Sequence, residues 1–387
     1  MKIALLGFGN VGRGVYETLE SLPEIEVNRV LVRNVRPCAT SAVTAEFSEI
    51  LNDPEIELVA EVMGGYEPAR SYVLAALRAK KHVVSANKEL LCKSFSELTS
   101  TAFENGVCLR YTACAGGGIP WLFNLERATR CDEIETLGGI MNGTTNFMLH
   151  AMQQSGIGFD EALKRAQSLG YAEAEPSADV DGHDAARKCA VSANLAFHTM
   201  LDEAEMNVEG IRRVRPCDIE FAKSRNCVLK LVARAHRAND TVSAYVEPCF
   251  VKATSQEAAV PENYNLLTLE GKRLKRQSFF GQGAGMYPTG IAVAQDILDV
   301  ARGSIKPQRV DIVPQSVDNK GCAHRYYVRC GTPQPHEGLM ELACERLVTA
   351  EGCVYITKPV SVFAMHVLAK TLRKADPQLF FAGMDEA

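Results

Sequence analysis

A chain of 387 residues with a net charge of −5 and 47% hydrophobic residues is too long for one ordinary core and too apolar to be disordered, so two or three domains are expected. Its lysines and arginines are scattered, which leaves no basic footprint for nucleic acid and makes a small molecule the expected partner. Thirteen cysteines lie in apolar runs with no CxxC pair among them, and read as buried reduced thiols rather than a disulfide framework or a zinc site.

Met1 to Leu6 is a short apolar stretch that runs straight into glycines, neither a signal peptide nor a membrane span, so a cytoplasmic location is expected. Lys2 to Leu6 reads as a strand, followed by Gly7-Phe8-Gly9-Asn10-Val11-Gly12 and a helical pattern through Val15, Leu19 and Leu22. The first glycine permits a tight turn, the second lets the backbone approach a pyrophosphate, and the third brings helix against strand. With the helix N-terminus facing the anion, these six residues are expected to bind a dinucleotide. A second strand, Val27 to Val32, ends at Arg33-Asn34, where an NAD-specific sheet usually carries Asp or Glu for the ribose hydroxyls. Arg33 and Arg36 are suited instead to a 2′-phosphate, so NADP is expected beside NAD. Leu58 to Met63 is a further strand ending in Gly64-Gly65, and Pro68 opens a helix through Val73, Leu74 and Leu77. His82 to Ser85 then delivers Ser85-Ala86-Asn87-Lys88 at a carboxyl end, where ligands of parallel sheets bind; Gly64, Ser85 and Lys88 are therefore site candidates. Val107 to Thr112 leads into Ala115-Gly116-Gly117-Gly118-Ile119-Pro120, a bend whose exposed carbonyls suit a close cofactor approach, a monovalent cation or a plain hinge.

From about Glu133 the pattern changes, with a strand Ile134 to Met141, the turn Asn142-Gly143-Thr144-Thr145-Asn146 and a helix through Phe147 and Met152. Ala166 to Lys188 packs five carboxylates and a lysine around Pro176: an extended acidic loop with Glu173 and Glu175, then Asp179 and Asp181 before a helix from about Gly182 into Val191, Leu195 and Phe197. On that helix Asp184 and Lys188 are spaced i,i+4 and share one face, a pair able to hold a substrate and pass it a proton. A second helix is expected near Phe221 to Ala235, with strand-like alternation in Val242 to Val246 and Asn265 to Leu269, an α+β arrangement. Phe280 to Thr289 introduces a long helix, Ile291 to Ala301. Beyond it, Arg325 to Cys330, a helix around Leu339 to Thr349, Val354 to Thr357, Val362 to Arg373 and Leu379 to Phe381 read β-α-β-α-β, either a degenerate ACT-like module or a dimer brace.

The run from Ala166 to Lys188 resembles the signature of the homoserine dehydrogenases, with Gly170, Pro176, Asp179, Gly182, Asp184 and Lys188 at matching positions. Glu175 departs from it, since the family usually has Asp, Asn or Ser before the proline. Gly139-Ile-Met-Asn-Gly-Thr-Thr-Asn146 is similar to that family's substrate domain, and the resemblance extends over about Met1 to Arg302. It implies reversible reduction of L-aspartate 4-semialdehyde to L-homoserine with NAD or NADP. It implies Lys188 as proton donor, Asp184 orienting it and Lys88 adding positive charge from the cofactor side. Glu173 and Asp179 would bind the substrate ammonium, Gly143 and Thr144 would line the amino-acid pocket, and Gly285 would lie near the cofactor. The carbonyls of Thr112, Ala115, Gly117 and Ile119 would hold Na⁺ or K⁺, and the chain would be a homodimer. The expected fold is α/β: a Rossmann dinucleotide-binding domain over 1–130, completed by about 281–305, an α+β substrate and dimerisation domain over 131–280, and a small βα extension over 320–387. Two rivals are another Rossmann oxidoreductase of amino acids, acting at carbon–nitrogen bonds, and a non-catalytic nucleotide sensor.

Overall fold

The computed structural model describes residues 1–34, 43–238, 241–313, 315–332, 336–349 and 352–385. Short Val, Ile and Leu runs, each closed by a glycine or polar turn, alternate with helical patterns from the start of the chain. They fold as β1 (Lys2–Leu6), α1 (Asn10–Leu19), β2 (Glu26–Leu31), β3 (Val43–Thr44), α2 (Phe47–Leu51), β4 (Ile56–Glu61), α3 (Ala69–Arg78), β5 (His82–Ser85), α4 (Lys88–Glu104), β6 (Leu109–Arg110) and α5 (Trp121–Thr129). Then come β7 (Ile134–Ile140), α6 (Gly143–Ser155), α7 (Phe159–Ser168), α8 (Ser177–Val180), α9 (His183–Phe197), β8 (Asn207–Val208), α10 (Pro216–Ser224), β9 (Cys227–Ala238), β10 (Thr241–Lys252), β11 (Tyr264–Gly271) and β12 (Lys275–Gln282). The chain finishes with α11 (Met286–Ala301), β13 (Ser316–Val317), β14 (Ala323–Cys330), α12 (Glu337–Met340), β15 (Ala343–Thr349), β16 (Gly352–Thr357), β17 (Val360–Ser361), α13 (Val362–Leu372) and β18 (Phe380–Met384). Two compact units result: Met1–Glu133 with Ala190–Asp202 and Gly281–Pro314, and Ile134–Cys189 with Glu203–Phe280 and Gln315–Ala387.

The first unit is a six-stranded parallel sheet in the order β3-β2-β1-β4-β5-β6, the order of a dinucleotide-binding sheet, with its reversal between β1 and β4. Ile3, Leu5 and Leu58 of the sheet pack with Val15 and Leu19 of α1 and Val293 and Ile297 of α11 into one buried core. Two glycines make α1 and α11 touch: a Cβ on Gly14 would stand 2.4 Å from the Met286 carbonyl oxygen, and one on Gly290 2.7 Å from the Gly14 carbonyl carbon.

The second unit is built on a twelve-stranded sheet whose main path is β12-β11-β7-β9-β10-β18-β14-β16-β15. Its β7, β9, β10 and β11 pair antiparallel, and β18 joins β10 in parallel. The segment from β14 to β18 runs βαββαβ when the two-residue β17 is set aside, with strand order β18-β14-β16-β15, a split-βαβ arrangement.

Several local expectations differ from this structure. The helix expected over Phe221 to Ala235 stops at Ser224; Asn226 turns at φ 54 and Cys227–Ala238 is a strand, paired residue for residue with β10. The middle of this strand, Leu229–Ala233, is buried on both faces and shows no clean alternation to tell strand from helix, and here its place between β7 and β10 decides. The helix expected around Leu339 to Thr349 is only α12, and Ala343–Thr349 is the edge strand β15. The strand expected over Val107 to Thr112 shrinks to Leu109–Arg110, with a 3₁₀ turn over Thr112–Cys114. The acidic loop is not extended throughout, because Ser177–Val180 closes a helical turn. The last helix of the first unit begins at Met286 rather than Ile291.

Candidate active site

In the first unit, the glycine loop leaves β1 and enters α1. Gly7 turns at φ 104, and a Cβ on Gly12 would stand 2.4 Å from the Gly7 carbonyl oxygen, so the third glycine is needed for helix to meet strand. A Cβ on Gly9 would meet nothing within 4 Å, and Gly9 caps α1 without a capping side chain. The first turn of α1 carries no acid. Open space, bare amides and the positive helix end together fit a pyrophosphate. Phe8, Asn10 and Val11 complete the loop, and the exposed Arg33 lies two residues past the end of β2. Arg36 lies outside the described residues. Gly64, at φ 72, follows β4 across open space, and Lys88 is the first residue of α4, whose cap is Asn87 accepting from the Leu90 amide at 3.1 Å.

Between β4 and β5 the structure reveals a group that strand patterning overlooks. Glu61, fully buried, accepts from Ser85 Oγ at 2.7 Å, from the Met63 amide at 2.9 Å and from Asn87 Nδ2 at 3.4 Å. Burial pushes its carboxyl above the ordinary value, against the pull of those hydrogen bonds. The candidate Ser85 is thus tied to Glu61, which fixes the ends of both strands. The only sequence signal for it was an acid closing an apolar strand just before a glycine pair.

The Ala115–Ile119 bend packs close on the approach to α11: a Cβ on Gly117 would stand 2.7 Å from the Gly283 carbonyl, and Gly285, at φ 132, caps α11. Thr112, Gly117 and Ile119 line a cavity of about 320 Å³ with Asp296 and Asp299, whereas the fully buried Ala115 is not among its lining residues. Asp296 accepts from the Thr112 amide at 2.9 Å and hydroxyl at 2.8 Å, and burial raises its carboxyl to about 6 against the pull of Arg110. Carbonyls beside a buried carboxylate are the donor set of a hard cation, so the bend fits Na⁺ or K⁺. Of the two acids in the apolar run of α11, Asp296 and Asp299, only Asp296 is fully buried.

In the second unit, the acidic stretch and the Asn142 turn converge. Lys188 Nζ lies 2.7 Å from Asp184 Oδ2 and donates to the Met141 carbonyl at 2.9 Å, with both side chains buried. Asn142 Nδ2 donates to Asp184 Oδ2 at 2.8 Å and to Asp179 Oδ1 at 2.6 Å, while Asn142 Oδ1 caps α6 by accepting from the Thr145 amide at 2.8 Å. One amide thus spans both carboxylates. Asn142 and the Met141 carbonyl were not among the expected site residues, although Asn before Gly-Thr-Thr at a strand end is a cap signal. Thr144 Oγ1 donates to the Tyr171 carbonyl at 2.7 Å, tying α6 to the acidic loop. Gly143 is explained by packing, since a Cβ there would stand 2.5 Å from the Asn263 carbonyl oxygen. Gly182 turns at φ 90 and lets α9 start where Asp184 faces Asn142. Glu173 is exposed, and among the described residues no hydrogen bond or ion pair joins its carboxylate to this cluster.

Residues 120–298 match the family model described as homoserine dehydrogenase, and residues 7–112 match that of the homoserine dehydrogenase NAD binding domain. The chain is 37% identical over 349 residues to the homoserine dehydrogenase of Synechocystis sp., an alignment that covers 84% of this chain and 78% of that one. The crystal structure of a homoserine dehydrogenase from Thiobacillus denitrificans superposes with a TM-score of 0.90 at 28% identity, covering 100% of this chain and 98% of the other. The fold is also shared, at TM-score 0.69 and 22% identity over 79% of this chain and 99% of the other, with a hyperthermophilic archaeal homoserine dehydrogenase in complex with NADPH.

Proposed function

The chain belongs to the homoserine dehydrogenase family, and we propose that within it Lys188 is the group that gives and takes the substrate's proton. The reaction is the reversible, NAD(P)H-dependent reduction of L-aspartate 4-semialdehyde to L-homoserine, a step toward threonine and methionine. The nicotinamide supplies the hydride in one direction and accepts it in the other. As the aldehyde carbon becomes tetrahedral, its oxygen turns into an alkoxide that needs a proton and a nearby cation. Lys188 meets both needs, because its ammonium is held by Asp184 Oδ2 at 2.7 Å and by the Met141 carbonyl at 2.9 Å beside the Asn142 turn.

The single observation that carries this reading is the chain Lys188–Asp184–Asn142–Asp179, buried over its first three members, in which a cation is oriented from one side and the half-buried Asp179 stands at the other end. Asp179 and Glu173 bind the substrate ammonium, Gly143 and Thr144 shape the adjoining turn, and Lys88 adds positive charge in the nucleotide unit. NADP is accepted and preferred, supported by Arg33 standing where an acid would exclude a 2′-phosphate. The carbonyls of Thr112, Ala115, Gly117 and Ile119 would hold Na⁺ or K⁺, which the nearby Asp296 supports for all of them but Ala115, absent from the cavity's lining. The chain works as a homodimer, supported by its resemblance to the family's substrate domain. No helix among the described residues is long and apolar enough to cross a membrane.

Lys188→Ala tests the central assignment. It should lower kcat at least ~100-fold while NADPH binding, read by fluorescence, persists. Near-normal turnover in a folded variant removes Lys188 from the chemistry.

A further inference from the structure

Beyond the dehydrogenase site, the βαββαβ segment holds a cluster of a different chemical kind. Cys330 ends β14, His336 caps the start of α12, and Asp376 follows α13 just before β18. One ligand atom from each, a sulfur, an imidazole nitrogen and a carboxylate oxygen, lies within 4.8 Å of the other two. Cys330 is fully buried and Asp376 is 4% exposed, in a core otherwise made of Tyr326, Val328, Leu339, Met365 and Phe381.

A second observation separates this cluster from a cysteine packed as a small hydrophobe. His336 Nε2 is shielded from solvent and has no hydrogen-bond partner among the described residues. Buried ring nitrogens are nearly always paired, so such an atom asks for an explanation. Asp376 and the His336 backbone are already oriented. Asp376 Oδ2 accepts from the Gly331 amide at 2.7 Å and Oδ1 from the Gln378 amide at 3.2 Å, while the His336 amide donates to the Tyr355 hydroxyl at 3.4 Å. Backbone bonds that fix a carboxylate while leaving it spare lone pairs are what an outer shell does for a metal ligand.

We propose that Cys330, His336 and Asp376 form a site for one divalent cation of the zinc class, stapling the end of β14, the start of α12 and the chain entering β18. Thiolate and imidazole select zinc-like ions over Mg²⁺ or Ca²⁺. Tetrahedral ligands at about 2.0–2.3 Å stand roughly 3.3–3.8 Å apart, so the three groups close on the ion by about an ångström. On binding, the Cys330 S–H bond breaks, its proton leaves to solvent and a sulfur–metal bond forms. A dication with one thiolate, one carboxylate and a neutral imidazole carries no net charge, which suits a buried place. The fourth position falls to water.

The test uses the full chain, stripped with chelator and titrated with Co²⁺. Wild type should take up one equivalent, with tetrahedral d–d bands and thiolate-to-cobalt charge-transfer absorption, both abolished by added Zn²⁺. Cys330→Ser should lose the charge-transfer band, and His336→Ala should weaken binding roughly tenfold or more. Replacing the exposed Cys344 by Ser should change nothing. His336→Ala removes a ring whose Nε2 has no hydrogen bond to lose among the described residues, so it keeps the test decisive if Cys330→Ser unfolds. Zn²⁺ should also raise the thermal midpoint of wild type by more than that of His336→Ala at the same concentration. A wild type without tetrahedral cobalt, or a spectrum that survives both substitutions, overturns the proposal.

Discussion

Asn142 carries three jobs on one side chain: it caps α6 through Oδ1 and spans Asp179 and Asp184 through Nδ2. An Asn142→Asp variant keeps the cap and turns the bridging amine into an oxygen facing two carboxylates. KM for homoserine should then rise about tenfold or more, and recover as falling pH protonates one member of the trio. A wild-type KM in that variant would detach the bridge from substrate binding. Glu173 differs, because its carboxylate is exposed and held by no described neighbour. If it meets the substrate ammonium, Glu173→Gln raises KM about tenfold, a charge-assisted bond of ~1.5 kcal/mol, with kcat little changed. A lowered kcat at constant KM would assign it to the chemistry instead. At the cofactor end, Arg33→Ala should raise KM for NADP and leave that for NAD as it was. If wild type favours NAD tenfold and the substitution alters neither value, the 2′-phosphate contact does not exist.

Within the β1–α1 element the three glycines of the loop divide their work, and the division can be measured. Gly12 is needed by the fold, since its missing Cβ is where the Gly7 carbonyl oxygen sits, 2.4 Å away. Gly9 has free space around it and is needed by the ligand. Gly9→Ala should therefore keep the thermal midpoint within about 2 °C of wild type while raising the NADPH dissociation constant tenfold or more. Gly12→Ala should lose ~1–3 kcal/mol of stability through overpacking against backbone. Equal stability in the two variants would refute this division. The same reasoning explains why α11 belongs with α1, as Gly14 and Gly290 remove the side chains that would hold the two helices apart.

At the scale of the whole second unit, β10, β14 and α13 are joined by a buried carboxylate. Glu247 meets His324 Nε2 at 2.6 Å, His366 Nε2 at 3.3 Å and the Tyr326 hydroxyl at 3.3 Å. Burial disfavours its charge, yet the bonds and charges of the two histidines outweigh that and hold its carboxyl at about 2. For His324, burial opposes protonation, but hydrogen bonds with Cys322 and Glu247 and the charge of Glu247 raise it to about 9. The His324 contribution is fully present below the unfolded value near 6.5 and is lost as pH climbs through 9. The Glu247 contribution is present above about 4.5 and lost as pH falls toward 2. The two shifts describe one interaction from its two ends and are not summed. Stability should hence form a plateau between about pH 4.5 and 6.5 and fall by about 3 kcal/mol toward pH 9. Urea midpoints against pH for wild type and Glu247→Gln check this, and an alkaline limb of equal steepness in both would rule the cluster out as its source.

Residues close together in sequence were legible from sequence alone. The glycine loop, the parallel βα units and the i,i+4 pair of Asp184 and Lys188 follow from local periodicity and backbone sterics, and the structure places them as read. What lay beyond the sequence depended on partners far along the chain. Whether Cys227–Ala238 and Ala343–Thr349 are strands was settled by ladders formed with β10 and β16, because neither segment alternates strictly between apolar and polar residues. Asn142, Glu61 and Asp296 acquire their roles from atoms 42, 24 and 184 residues away, and one partner of a hydrogen bond leaves no pattern in the sequence around the other. Local physics set the elements; only their packing decided which polar groups are buried together, and burial is what gives those groups their charge states and their chemistry.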